Sequence, residues 1–167
     1  SPEEEHEHEG EEHEEEEHGH AHEAADLLLR RHSYKIGAGL KNVGFLENIQ
    51  PRLNYSDYNH QELVDNVPET MFFNKQFIYR AVFNQKKRGR LTGSFGFWGM
   101  HRDYKTIGEE SLAPPTKQNG FAAFALESID AGGLRVQFGG RLEHNRYDAL
   151  DARDRSFTRL SGALGPS

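Results

Sequence analysis

The residues best suited to chemistry stand at the start of the chain. His6, His8, His13, His18, His20 and His22 fall within the first 23 residues, interleaved with twelve Glu. Neutral imidazole is a good ligand for Zn²⁺ and other late divalent metals, and carboxylates can complete the shell. His18, His20 and His22 are spaced two apart, so on an extended chain they project to one side. His6 and His8 form a second such pair. The 167 residues include no Cys, which removes thiolate ligands and disulfides together. The loose spacing points to a weak trap of several sites for Zn²⁺ or a similar divalent ion, with no obligatory cofactor. The bland alternative is a solvated acidic tail, although a simple purification tag would not alternate His with Glu.

Histidines also occur further on. His60 and Glu62 are two apart, hence on one face of a strand, with Asp57 nearby. This spacing is that of a rim site passing metal inward, or of ordinary polar chemistry at a strand end, which is the commoner case. His101 and Asp103 repeat the spacing, while His144 and Glu143 do not share a face. Enzyme signatures are missing. No nucleophile elbow surrounds a Ser, and Gly37-Ala38-Gly39 lacks the third Gly and the helix of a phosphate cradle. Lys86-Lys87-Arg88-Gly89-Arg90 is too short a basic run, beside too acidic a head, to indicate nucleic acid.

The elements that hold these residues divide the chain in two. Fifteen of the 27 acids and all 20 bases lie after residue 23, so the head carries −12 and the body +5. Residues 1–24 are low-complexity sequence with no apolar side chain larger than Ala. Such a segment cannot bury enough surface to offset roughly 1–2 kcal/mol of backbone entropy per residue, and it is expected to be disordered. Residues 25–167 form the second part. The chain begins at Ser1 and ends Leu164-Gly165-Pro166-Ser167, which suggests a piece of something larger.

The second part alternates with period two. Val136, Phe138 and Leu142 oppose Arg135, Gln137, Arg141 and Glu143, which predicts a strand with one oily and one polar face. Tyr34–Leu40, Ile49–Tyr55, Phe77–Phe83, Leu91–Phe97 and Ala122–Leu126 repeat the pattern, with Ala122, Phe124 and Leu126 opposing Ala123, Ala125 and Glu127. Phe157–Leu164 is a weaker seventh run. No stretch approaches the roughly 18 apolar residues of a transmembrane helix. The predicted fold is all-β, an antiparallel up-and-down meander of about seven strands forming a partial arc of a transmembrane β-barrel. Strands of about 10 residues suit a tilted bilayer crossing.

Three details support a membrane barrel over a soluble sandwich. Asn42–Leu46, Gln85–Gly89 and Asp130–Gly133 are short connectors, whereas Glu62–Lys75, Tyr104–Gln118 and Asp148–Ser156 are long, as periplasmic turns and extracellular loops would be. Arg52, Arg80, Arg135, Arg141, Glu127 and Glu143 lie on the less apolar faces and suit a wet lumen. Tyr55, Tyr58, Trp98, Tyr104 and Tyr147 cluster toward strand ends and suit an interfacial girdle.

Particular runs are more specific. Pro51-Arg52-Leu53-Asn54-Tyr55-Ser56-Asp57-Tyr58-Asn59-His60-Gln61-Glu62 resembles the second barrel-strand segment of TonB-dependent outer-membrane receptors. Thr70-Met71-Phe72-Phe73-Asn74-Lys75 resembles that family's G-T-x-F-x-N-K stretch, except that Val67-Pro68-Glu69 stands where Gly usually precedes the Thr. Leu91–Gly96, Ile107–Thr116 and Gly139–Glu143 continue in the expected order, so the resemblance spans roughly residues 26–165. The chain is most similar to the zinc-uptake type, whose members often carry a His- and acid-rich extracellular loop before such strands. The resemblance implies a bacterial outer-membrane transporter for zinc or another divalent metal. It further implies a closed barrel of about 22 strands, a plug domain absent from this chain, and a TonB energy-coupling complex as partner. Outer-membrane lipid is the other implied partner, and no nucleic acid is expected. Rival readings are a siderophore receptor of the same fold, an uncoupled porin, and a soluble periplasmic metal-binding β protein. An open arc has two unpaired edges, which lipid does not tolerate.

Overall fold

The computed structural model describes residues 26–64, 67–108, 111 and 113–166. The chain runs β1 (Asp26–Gly37), β2 (Leu40–Val43), β3 (Leu46–Val64), β4 (Val67–Gln85), β5 (Leu91–Gly108), β6 (Thr116–Asp130), β7 (Arg135–Ala149) and β8 (Arg155–Pro166). All pairings are antiparallel, in the order β1-β3-β4-β5-β6-β7-β8, with β2 also on β3. β2 continues the line of β1 after a break at Ala38-Gly39, so the meander has seven positions, as expected. The sheet is open, with β1 and β8 at its edges. The metal-binding expectation for His6, His8, His13, His18, His20 and His22 falls outside the described residues, as does the disorder expected of residues 1–24.

The strands are longer than the sequence pattern suggests. β3 and β4 have 19 residues each and β5 has 18. About 10 residues cross a bilayer, so each overshoots by roughly eight. The predicted loop Glu62–Lys75 is almost entirely strand, with only residues 65–66 between β3 and β4. Polar residues fall on both of its faces, so the segment lacks the alternation that marks a strand. The contrast between short and long connectors therefore fails there. Their segregation holds, as a meander requires: turns at 44–45, 86–90 and 131–134 share one end, and 65–66, 109–115 and 150–154 share the other. At the first end, Gly44 (φ 57) and Gly132 (φ 61) adopt the left-handed backbone that tight turns need.

Directly paired residues point to the same side of a sheet, so the register fixes both faces. One is oily. It carries Leu53, Tyr79 and Phe121, then Pro51, Ala81, Phe97, Ala123, Leu142 and Leu160, then Ile49, Phe83, Phe95 and Ala125. Phe83 and Phe95 stack with ring centres 5.0 Å apart. On each long strand this face turns polar at a similar level: Asp57, Lys75, His101, Asn119, His144 and Thr158. The other face carries Arg52, Arg80, Arg135, Gln137, Arg141 and Glu143, as the alternation predicted.

β6 corrects the reading. Phe121, Ala123, Ala125 and Ile129 join the oily face, while Ala122, Phe124 and Leu126 join the polar one. Residues 121–126 are all apolar, so their own sequence holds no parity, and neighbouring strands decide it. Glu127 consequently sits on the oily face, near the short turns. Gln85 donates to its Oε1 at 2.6 Å. Gly93 opposite leaves it room, since a Cβ there would collide with the carboxylate. The predicted girdle is also corrected. Tyr58, Trp98, Tyr104 and Tyr147 lie on the polar face, and Trp98 is mid-strand. The aromatics at the oily boundary are Tyr34, Tyr55 and Phe77, which share one row.

Among the described residues only Leu46, Ala81 and Ala122 are buried apolar side chains. Leu160 is 81% exposed and Leu164 77%. A single sheet with no covering layer and a continuous oily face is not a soluble sandwich, which buries that face against a second sheet.

Candidate functional site

The described structure begins at Asp26, which pairs with Leu63 beside the β3–β4 turn. The His/Glu head therefore joins the sheet at the end bearing 65–66, 109–115 and 150–154, opposite the basic turn Lys86–Arg90. This is the end at which the oily face gives way to polar residues. The order of elements is enough to produce it: an odd number of meander strands separates the head from the β4–β5 turn.

The body histidines are already occupied. His60 and Glu62 share a face as the spacing implied, with Nε2–Oε1 at 3.7 Å. The Nδ1 of His60 shares a hydrogen bond with the Tyr58 hydroxyl at 2.9 Å, and its ring stacks on Phe72 with centres 4.2 Å apart. Asp57 points to the opposite face and lies 3.8 Å from Lys75. Two donors remain, too few for a closed metal shell. His101 bonds Asn119 at 2.8 Å, and His144 bonds Thr158 at the same distance. His32 accepts from Arg30 at 2.7 Å. Among the described residues no three His, Asp or Glu gather as a metal site would require. The rim-site expectation for His60 therefore resolves to polar packing at a strand end.

The polar face is electropositive. Arg31, Lys35, Arg52, Arg80, Arg102, Arg135, Arg141, Arg155 and Arg159 lie on it, against Glu62, Asp130 and Glu143. Several cations are paired. Arg141 holds Glu143 at 2.8 Å, and Arg102 donates to Asn74 at 2.8 Å. At the turn end, Asp130 receives Arg135 at 2.7 Å and Lys87 at 3.1 Å. The hydrogen bond from Arg135, then that from Lys87, hold the Asp130 carboxyl below its ordinary value of 3.8. The surplus of Arg was legible in the sequence. The placement of Arg52 directly opposite Arg80 was not, because register between strands is invisible in either strand alone.

An open antiparallel arc, oily on one side and charged on the other, with strands of bilayer length or more, is a segment of barrel wall. It is similar in fold to part of the wall of a TonB-dependent receptor barrel. The chain is similar to solved structures of the FrpB iron transporter from Neisseria meningitidis. The F3-3 variant superposes with a TM-score of 0.69 at 12% identity, over 81% of this chain and 26% of that one. The F5-1 variant in its apoprotein form gives 0.69 at 13% identity, with the same coverage. The chain thus spans about a quarter of those structures. No family model and no curated protein matches it.

Proposed function

We propose that the chain is part of a TonB-dependent outer-membrane transporter that takes up zinc or another divalent metal, its His/Glu head capturing the ion at the cell surface. The observation that carries this reading is the division of the arc into two ends. The oily face gives way to polar residues toward the same end of every long strand, and the chain enters β1 at that end, at Asp26. Its twelve carboxylates and six imidazoles would concentrate cations at the barrel mouth. The matched iron transporters support transport as the class of activity and outer-membrane lipid as the surroundings of the oily face. The proposal adds a TonB energy-coupling complex, acting through a plug domain outside this chain, as the sequence resemblance implies.

The test is to delete residues 3–22 from the intact transporter. The barrel wall is untouched, so growth in ample zinc should be unchanged. In zinc-limited medium, uptake should fall, and the head's contribution should fade below about pH 6 as imidazoles protonate. Equal zinc uptake with and without the head would reduce it to a solvated loop. A second reading, a receptor of the same fold for a metal chelate, is favoured by the cationic polar face, which repels a bare divalent ion.

A further inference from the structure

A cavity of about 660 Å³ opens on the oily side of β4 to β7, where that face gives way to polar residues. Its floor is aromatic. Tyr79 and Phe121 flank Gly99 in one row of paired residues. A Cβ on Gly99 would run into the Tyr79 ring, so the missing side chain is what lets that ring lie across β5. Phe121 is 46% exposed. β4 to β7 are inner strands of the arc, so neither the strands that would close a barrel nor a domain inside it covers this wall.

The rim is polar but not cationic. Among the described residues, each rim side chain is fixed by a neighbour and keeps a second group free. His101 Nδ1 and Asn119 Oδ1 are 2.8 Å apart, which leaves His101 Nε2 and the Asn119 amide nitrogen. His144 Nδ1 is held by Thr158 at 2.8 Å, which leaves its Nε2. Arg146 donates to Asp148 at 2.6 Å and to Asp154 at 3.1 Å, which leaves the second oxygen of Asp148. The two carboxylates offset the guanidinium. In the next row outward, Lys75 and Lys117 alternate with Asp57, Asp103 and Asp148. A phosphate gains nothing from such a balance. An uncharged ring with one C–H face and a rim of hydroxyls suits it, because hydroxyls both donate and accept and the C–H face covers the aromatic floor. Beyond the floor, Ala123 and Ala125 continue β6 toward the short turns, beside Phe97 and Phe95 of β5. Two small side chains beside two tall ones leave a lane in the oily band that leads out of the cavity.

We infer that this cavity binds the sugar headgroup of a membrane glycolipid, the ring on Tyr79 and Phe121 and an acyl chain along Ala123 and Ala125. Asn119, His101, His144 and Asp148 take the hydroxyls. The inference rests on the proposed function only in taking the oily face to meet lipid.

The experiment is native mass spectrometry of the intact transporter released from a polyoxyethylene detergent, which carries neither sugar nor charge. The probes are a diacylglycerol bearing one glucose, phosphatidylglycerol with the same acyl chains, and glucose alone. One glucolipid should be retained saturably, about tenfold more tightly than phosphatidylglycerol, as one or two extra hydrogen bonds imply. Glucose bound as tightly as the glucolipid would overturn a lipid as the occupant. Asn119→Ala with Phe121→Ala should weaken the glucolipid by about tenfold or more, since a ring contact and hydrogen bonds go together. Leu164→Ala, on the same face but near the short turns, should leave it within about twofold. Asn119→Trp, at an exposed position, fills the cavity and should abolish retention, so the test stands even where the double variant fails to fold. Equal retention of the two lipids, or unchanged retention in either cavity variant, would overturn the site and leave the lipid-facing wall in place. Retention of neither lipid would overturn the site and the lipid-facing wall together. Zinc uptake in cells reads metal capture separately, so either can fail alone.

Discussion

Asp130 shows how a single residue ties together the turn end of the arc. It accepts hydrogen bonds from Arg135 on its own hairpin and from Lys87 on the neighbouring turn. Its carboxyl titrates below 3.8 because the charged form is the bonded one. A depressed folded value stabilises the fold above the unfolded value, and that contribution is lost as pH falls through the folded one. Asp130→Asn should therefore lower the urea midpoint at pH 7, and that loss should shrink as pH falls through the folded value, which unfolding curves at pH 7 and pH 2.5 would read. An equal loss at both pH values would mean that the ionised carboxylate is not what matters. Glycines make a second residue-scale case. A Cβ on Gly96 would collide with the carbonyl oxygen of Ala81, whereas one on Gly140 would meet nothing nearer than 3.7 Å. Gly96→Ala should cost about 1–3 kcal/mol, as overpacking does. Gly140→Ala should be neutral or gain about 0.4–1 kcal/mol from the unfolded chain. Similar shifts for the two in denaturant would contradict the close approach at Gly96.

At the scale of the strand, depth and face decide tolerance. Leu142 is the last apolar residue of the oily face on β7 before His144, Phe138 lies between it and the short turns, and Gln137 is on the polar face. An Arg on a lipid-facing position costs about 2–4 kcal/mol at the midplane and less toward the interfaces. Phe138→Arg and Leu142→Arg should each impair assembly more than Gln137→Arg, scored by folded barrel recovered from outer membranes. An inverted order would shift the register by one residue and exchange the faces. The legibility of the fold follows the same physics. β7 was readable because Val136, Phe138 and Leu142 alternate with Gln137, Arg141 and Glu143. β6 was not, because Phe121–Leu126 offers no polar residue to mark a side. The upper halves of β3 and β4 were hidden because polar residues fall on both faces there and Met71-Phe72-Phe73 puts apolar residues on both, so no alternation survives. The head's histidines are proposed as ligands from type and spacing alone, and they lie outside the described residues. The opposed Arg52 and Arg80 could emerge only from pairing between strands.

For the whole molecule, the proposed function makes one central claim, an orientation: the arc would stand in the outer membrane with its head-bearing end outside and Lys86–Arg90 in the periplasm. In that proposal the oily band meets lipid, and the two lateral edges, β1 and β8, are paired by further strands that close a barrel. The charge distribution fits that orientation, with a −12 head outside and a cationic polar face within. The chain has no Cys, so one introduced thiol in it reports its own position cleanly. Arg153, in the β7–β8 connection, and Arg88, in the β4–β5 turn, are both exposed and lie at opposite ends. In intact cells making the full transporter, a membrane-impermeant maleimide should label Arg153→Cys and leave Arg88→Cys untouched until the outer membrane is permeabilised. Labelling of Arg88→Cys but not Arg153→Cys in intact cells, or equal labelling of both, would contradict the orientation and the capture role with it.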